Sequence, residues 1–197
     1  PALIMTKFES QSGLSGTFRA APMHRCFSRL VLFILLSPAV VLAEPLMPLQ
    51  PLIDNAEEGA ALLLKPGVYA GPVLIDKPLI LDGQGKVTIN AGGKGSVIVV
   101  DTDGAVIRNL HLTNSGESHN DIDSGVQVRG RFNVISDNVI DDCLFGVDLQ
   151  QSENNVVRRN EISSKNVSLG LRGDGVRMWY SFGNIIEENE IHDSRDN

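Results

Sequence analysis

Apolar residues recur in fixed columns along the second half of the chain. Residues 105–112 (AVIRNLHL), 133–140 (NVISDNVI), 155–162 (NVVRRNEI) and 184–191 (NIIEENEI) superpose without a gap. Ile107, Ile135, Val157 and Ile186 share one column, and Leu112, Ile140, Ile162 and Ile191 share another. Between them stand Asn138, Asn160 and Asn189, with Leu110 in that slot of the first copy. A second apolar–polar alternation follows each of the first three copies and starts at Gly125, Gly146 and Gly175. The spacing from first column to glycine is 18, 11 and 18 residues, so two copies carry the same seven-residue insertion.

A repeat near 22 residues, built of short period-2 strands without an amphipathic helix of three turns, predicts a parallel β-solenoid. Leucine-rich repeats share the length, but their fixed leucine spacing is absent. Turns of such a solenoid stack at about 4.8 Å, so equal positions form ladders along its axis. The aliphatic columns then fill the interior, and the Asn138–Asn160–Asn189 column reads as a stack of side-chain amides that bond up and down the axis. The competing reading makes these asparagines ordinary left-handed turn formers. Short apolar runs between residues 62 and 100, separated by Gly, Pro and Asp, are expected to form the first, less regular turns, and residues 49–61 one or two helical turns that plug the open end. At the other end residue 197 falls at the glycine slot of a minimal copy, without a polar cap. The expectation is therefore a solenoid truncated at its C-terminal end.

The N-terminal region obeys a different pattern. From Met23 a positive start (His24, Arg25, Arg29) leads into an apolar run and then Val41-Leu42-Ala43, the order of features in a secretory signal peptide cleaved after Ala43. The domain expectation is thus upstream read-through or a disordered segment over 1–22, signal peptide over 23–43, an N-terminal cap over 44–61 and incomplete repeats over 62–197. The apolar run is shorter than the roughly 20 residues of a spanning helix, so no membrane span is expected after cleavage. Export to an oxidising compartment would leave residues 44–197 with a formal charge of −10 (13 basic against 23 acidic side chains) and Cys143 as the one thiol. The whole chain carries −7, with 42% hydrophobic and 21% charged residues. That balance fits a globular domain and lacks the basic stripe of a nucleic-acid binder.

Candidate chemistry falls on the second strand of each turn. There Val126, Val128, Val147, Leu149, Val176 and Met178 alternate inward, which turns Gln127, Arg129, Asp148, Gln150, Arg177 and Trp179 outward on adjacent rungs. Both insertions, within residues 113–124 and 163–174, enter this strand and wall the face. Arg129, Asp148, Gln150, Arg177 and Trp179 are therefore the candidate binding residues. Asp148, Arg177 and Trp179 could serve a carbohydrate with an acid, a cation and a stacking platform, or could form a plain charge ladder beside a covering tryptophan. No catalytic residue is assigned: Asp101/Asp103 and Asp121/Asp123 suit turns as well as acid–base work, and no calcium-ligand pattern repeats. Metal ligands stay unassigned. His111 and His192 stand in different columns three rungs apart, His119 with Asp121 and Asp123 is the one local cluster, Cys143 reads as a small residue before a tight turn, and Met178 falls in the core column.

Three stretches carry a family resemblance. They are LKPGVYAGPVLIDKPLILDGQG from Leu64, AVIRNLHLTNSG from Ala105, and RGDGVRMWYSFGNIIEENEIHDSRDN from Arg172. Together they resemble the NosD family of periplasmic nitrous-oxide-reductase maturation proteins over roughly residues 49–197. The first two are generic to secreted β-helix repeats, and the last, with Trp179-Tyr180-Ser181-Phe182, is the specific one. The resemblance implies an all-β, right-handed, single-stranded parallel β-helix of the pectin-lyase-like kind. It implies an accessory protein, associated with copper, that works with an ABC-type ATPase and permease to assemble the copper–sulfide centre of nitrous oxide reductase. It transfers no ligand residues, because no family copper motif maps onto positions of this chain. The alternative function is a secreted carbohydrate-binding or polysaccharide-modifying β-helix of the lyase or epimerase type, which rests on fold analogy.

Overall fold

The computed structural model describes residues 46–196, so the expected read-through and signal peptide lie outside the described residues. Within them every strand pairing is parallel. The strands wind into a β-solenoid with one 11-stranded sheet, which follows the bends of the turns, and one five-stranded sheet. The five-stranded sheet consists of Val73–Ile75, Ile98–Val100, Ser124–Val128, Phe145–Gln150 and Val176–Trp179.

The register is the one the apolar columns dictate. Ile107 pairs with Ile135, Ile135 with Val157 and Val157 with Ile186. Leu112 pairs with Ile140, Ile140 with Ile162 and Ile162 with Ile191. A one-residue slip would turn all of these into solvent, which is why a strict period of two pins the stacking. Ile107, Leu112, Ile135, Ile140, Val157 and Ile162 are all fully buried. Near the start, Gln50–Asp54 forms a single short helix whose Ile53, with the preceding Leu49, is fully buried in the core. The Gln50 side-chain amide pairs with the backbone of Leu74, donating to its carbonyl at 3.0 Å and accepting its N–H at 2.8 Å.

The asparagine column is a hydrogen-bonded ladder. Asn138 Nδ2 donates to Asn160 Oδ1 at 3.0 Å, and Asn160 Nδ2 donates to Asn189 Oδ1 at 2.9 Å. Each side-chain oxygen also accepts the backbone N–H of the same column one rung earlier, from Leu110, Asn138 and Asn160 respectively. The left-handed turn residue is the one before each column member: Asn109, Asp137, Arg159 and Glu188 all have positive φ. A second ladder, which the sequence reading passed over, runs through Asn133, Asn155 and Asn184. Asn155 Oδ1 accepts the Asn133 N–H at 2.8 Å, and Asn155 Nδ2 donates to Asn184 Oδ1 at 3.0 Å. It too is preceded by positive-φ residues, Phe132, Asn154 and Gly183.

Met178 departs from the core assignment. It stands in register with the fully buried Leu149, yet it is 56% exposed, because among the described residues no strand lies beyond Val176–Trp179 to cover it.

Candidate functional site

The outward side chains of the five-stranded sheet form two adjacent columns. Gln127, Asp148 and Arg177 are in register across three rungs, and Gln150 pairs with Trp179 in the neighbouring column. Asp101 and Arg129, which follow the paired Val100 and Val128, extend that second column.

Facing outward is not the same as meeting solvent. Asp148 is fully buried and Gln127 is 4% exposed, against the expectation of an open polar ladder. Arg177 on the next rung bonds Asp148, and the 114–123 insertion folds down onto Gln127, its Asp121 carbonyl accepting from Gln127 Nε2 at 3.3 Å. Asp148 Oδ1 accepts from Arg177 Nη1 at 2.7 Å, while Oδ2 has no hydrogen-bond partner. Burial pushes the Asp148 carboxyl above its ordinary range, although the Arg177 guanidinium pulls the other way.

Beyond Asp148, Arg177 lies over the Trp179 ring at 5.3 Å from its centroid, and Tyr180 meets the indole edge-on at 5.1 Å. Trp179, Tyr180 and Phe182 are 49%, 69% and 68% exposed and occupy the positions that Gln150, Gln151 and Glu153 hold one rung earlier. The tryptophan therefore does not cover the sheet. It stands at the solvent margin with one face already stacked by a cation, which disfavours the sugar-platform reading. Arg129, by contrast, reaches only Gln127 Oε1, at 3.2 Å.

The remaining candidates are occupied structurally. Asp103 Oδ1 accepts the Arg131 N–H, Asp121 Oδ2 accepts from Ser118 Oγ, and Asp123 Oδ2 accepts the Ser118 N–H. These carboxylates shape turns. His111 lies 2.9 Å from Asp141, and His192 pairs with Asp193 at 3.0 Å, an interaction that raises the imidazole pKa. Cys143 is buried, and burial pushes its thiol up to about 12, far from a reactive thiolate. Among the described residues no group of three or more His, Cys, Asp and Glu converges on a metal position.

The two insertions meet across the minimal turn between them, a contact their spacing alone could not reveal. His119 Nε2 donates to the Leu171 carbonyl at 3.0 Å, and its ring packs edge-on against Phe145 at 5.6 Å. The expected local cluster of His119 with Asp121 and Asp123 is thus dispersed: the imidazole serves the loop–loop clasp and the carboxylates serve their own loop.

Residues 124–197 match the family model for a right handed beta helix region. A protein of Pseudomonas aeruginosa described as a probable ABC transporter binding protein NosD is 27% identical over 172 residues, which cover 85% of this chain. The chain spans about 39% of that relative's length. No solved structure matches. Among the described residues no helix is long and apolar enough to cross a membrane. Fold and comparisons together make this a parallel β-helix protein similar to NosD.

Proposed function

We propose that this chain belongs to a periplasmic, non-enzymatic accessory factor for maturation of the copper–sulfide centre of nitrous oxide reductase, acting with an ABC-type transporter. The observation that carries the reading is the similarity to the Pseudomonas protein along 85% of the chain. The geometry supports a binding role: Asp103 and Asp121 are tied into turns, and Asp148 is buried and paired with Arg177. Copper enters this reading as cargo, and no residue of the chain is assigned to it. The lyase or epimerase alternative needs an acid–base pair at an open sugar site, and no observation favours it.

Deleting the gene in its host should yield nitrous oxide reductase that is made and exported but lacks its copper–sulfide centre, measured by copper content and visible absorption. Enzyme with full copper content from the deletion strain would rule the role out. Cleavage before Glu44, read by mass spectrometry of periplasmic material, is the companion expectation.

Docking is proposed at the face carrying Arg129, Gln150, Arg177 and Trp179. Exposed aromatics next to arginine are the residues that dominate protein interfaces, and such a hot spot typically costs at least about 2 kcal/mol on truncation. Trp179→Ala in the full-length protein should therefore weaken transporter or reductase binding about thirtyfold. Because the ring is half-exposed, the melting temperature should fall by no more than a few degrees. A large loss of stability with unchanged partner affinity would move the docking face elsewhere.

A further inference from the structure

Two cavities of about 350 and 410 Å³ adjoin on the outer face of the five-stranded sheet, and Arg129 and Gln150 line both. The first is walled by Asn120, Asp121 and Ile122 of the insertion, and the second is closed by Asp101 and Gln151. Along the axis the column Asp101, Arg129, Gln150, Trp179 presents an acid, a cation, an amide and an aromatic. Three rung spacings make this row about 14 Å long, the reach of about four extended residues.

The charge arrangement is selective. Of the eight arginines among the described residues, six lie within 4.0 Å of a carboxylate: Arg108, Arg131, Arg159, Arg172, Arg177 and Arg195. Arg129 is not among them, and its one hydrogen bond runs to Gln127 Oε1. The nearby acids make no ion pair with it. Asp148 acts on Arg129 through its charge but gives its hydrogen bond to Arg177, Asp121 and Asp123 direct an oxygen at Ser118, and Asp101, one rung before Arg129, is in none of the arginine ion pairs among the described residues. A guanidinium at the junction of two cavities with most of its donors free is a seat for one carboxylate, held by charge-assisted hydrogen bonds. On the following rung the amides of Gln150 and Gln151 match the donor–acceptor pairs of a peptide backbone.

We propose that this groove binds a short extended segment of a partner protein, with one Asp or Glu side chain on Arg129, backbone amides on Gln150 and Gln151, and an apolar side chain against Trp179. The proposal rests on the docking function above and names the partner's chemistry. An acidic oligosaccharide is the less suitable occupant. The two cavities contain no aromatic platform for a sugar ring. A run of several acids is also unsuited, because Asp101 would repel a second carboxylate next to the first.

The test is an NMR titration of the isotopically labelled chain with acetyl-Gly-Glu-Gly-Leu-amide, its Gln-for-Glu analogue, and trigalacturonate. The Glu peptide should shift the side-chain signals of Arg129, Gln150 and Gln151 and the single indole of Trp179. It should bind at least about tenfold tighter than the Gln analogue, the factor expected for a hydrogen bond to a charged group. Arg129→Gln should abolish that preference. Arg158→Gln, at the other arginine without an ion pair and on a different sheet, should keep it. Equal binding of the Glu and Gln peptides overturns the proposal, as does tighter binding of trigalacturonate at the same signals. Absence of shifts around Arg129 overturns it as well. The Glu–Gln comparison uses the unaltered chain, so it does not depend on a variant folding. Failure here with a copper-deficient reductase in the deletion strain would reject the groove and leave the maturation role standing.

Discussion

Asn160→Leu should destabilise the solenoid by about 3 kcal/mol, read as a shift of the chemical denaturation midpoint at unchanged slope. Asn160 is 1% exposed and makes four hydrogen bonds through its side chain. Its oxygen accepts the backbone N–H and the Nδ2 of Asn138. Its Nδ2 donates to the carbonyl of Ile135 and to Asn189 Oδ1. Leucine is large enough to fill the space but returns none of these bonds. Asn138 Nδ2 keeps the Ile107 carbonyl, and Asn189 Oδ1 keeps the Asn160 backbone N–H. The Asn138 backbone N–H, however, is left buried without its acceptor, and that desolvation dominates the loss. Asn155→Leu, in the second ladder, should cost a similar amount, since Asn133 N–H depends on Asn155 Oδ1 in the same way. Asn166→Leu, on an exposed loop position, should stay within about 0.5 kcal/mol. Similar midpoints for the Asn160 and Asn166 variants would mean that the ladder is a geometric coincidence without energetic content.

These ladders show how much of the molecule could be read from the residues. The columns of Ile107 and Leu112 carry a strict period, and a buried period-2 strand has only one register that keeps its apolar side inside, so the stacking was legible. One asparagine ladder was legible for the same reason. The other was hidden in the first letter of each repeat, where Ala105 breaks the series and a turn residue looks unremarkable. The site was read less well. Alternation tells which side of a sheet a side chain leaves, but not what folds over it. Asp148 faces outward as expected and is nevertheless buried, with an arginine one rung on bonded to it and the 114–123 loop folded onto its neighbour Gln127. The contact between His119 and Leu171 depends on the paths of two loops that no periodicity constrains. Trp179 is half-exposed, and its pairing with Arg177 and Tyr180, which alternation cannot reveal, decides what it can bind.

The glycine that opens each second strand yields the last and largest expected effect. Gly125, Gly146 and Gly175 do not have positive φ, so backbone freedom does not explain them. Space does. A Cβ built on each would collide with the Cγ2 methyl of an isoleucine of the following rung: Ile140, Ile162 and Ile191 in turn. These are the isoleucines of the second apolar column, so the same repeat that supplies the interior methyls also requires the absence of a side chain opposite them. Gly146 is the tightest of the three, because its Cβ would also strike the backbone carbonyl oxygen of Gly175, which cannot rotate away. Gly125 faces the Gly146 carbonyl at 3.0 Å, and the remaining close neighbour of Gly175 is the Ser194 hydroxyl at 3.3 Å. Gly146→Ala should therefore cost roughly 3–4 kcal/mol or prevent folding, with Gly125→Ala smaller and Gly175→Ala the mildest. The last is mild because Ile191 is only partly buried and can yield. Gly170→Ala, where a Cβ meets nothing within 4 Å, provides the reference and should be neutral or slightly stabilising. Urea denaturation of the four variants supplies the ranking. If Gly175→Ala proved worse than Gly146→Ala, the strand spacing would not be what excludes a side chain from this column, and the isoleucine–glycine pairing would lose its role in closing the solenoid's corner.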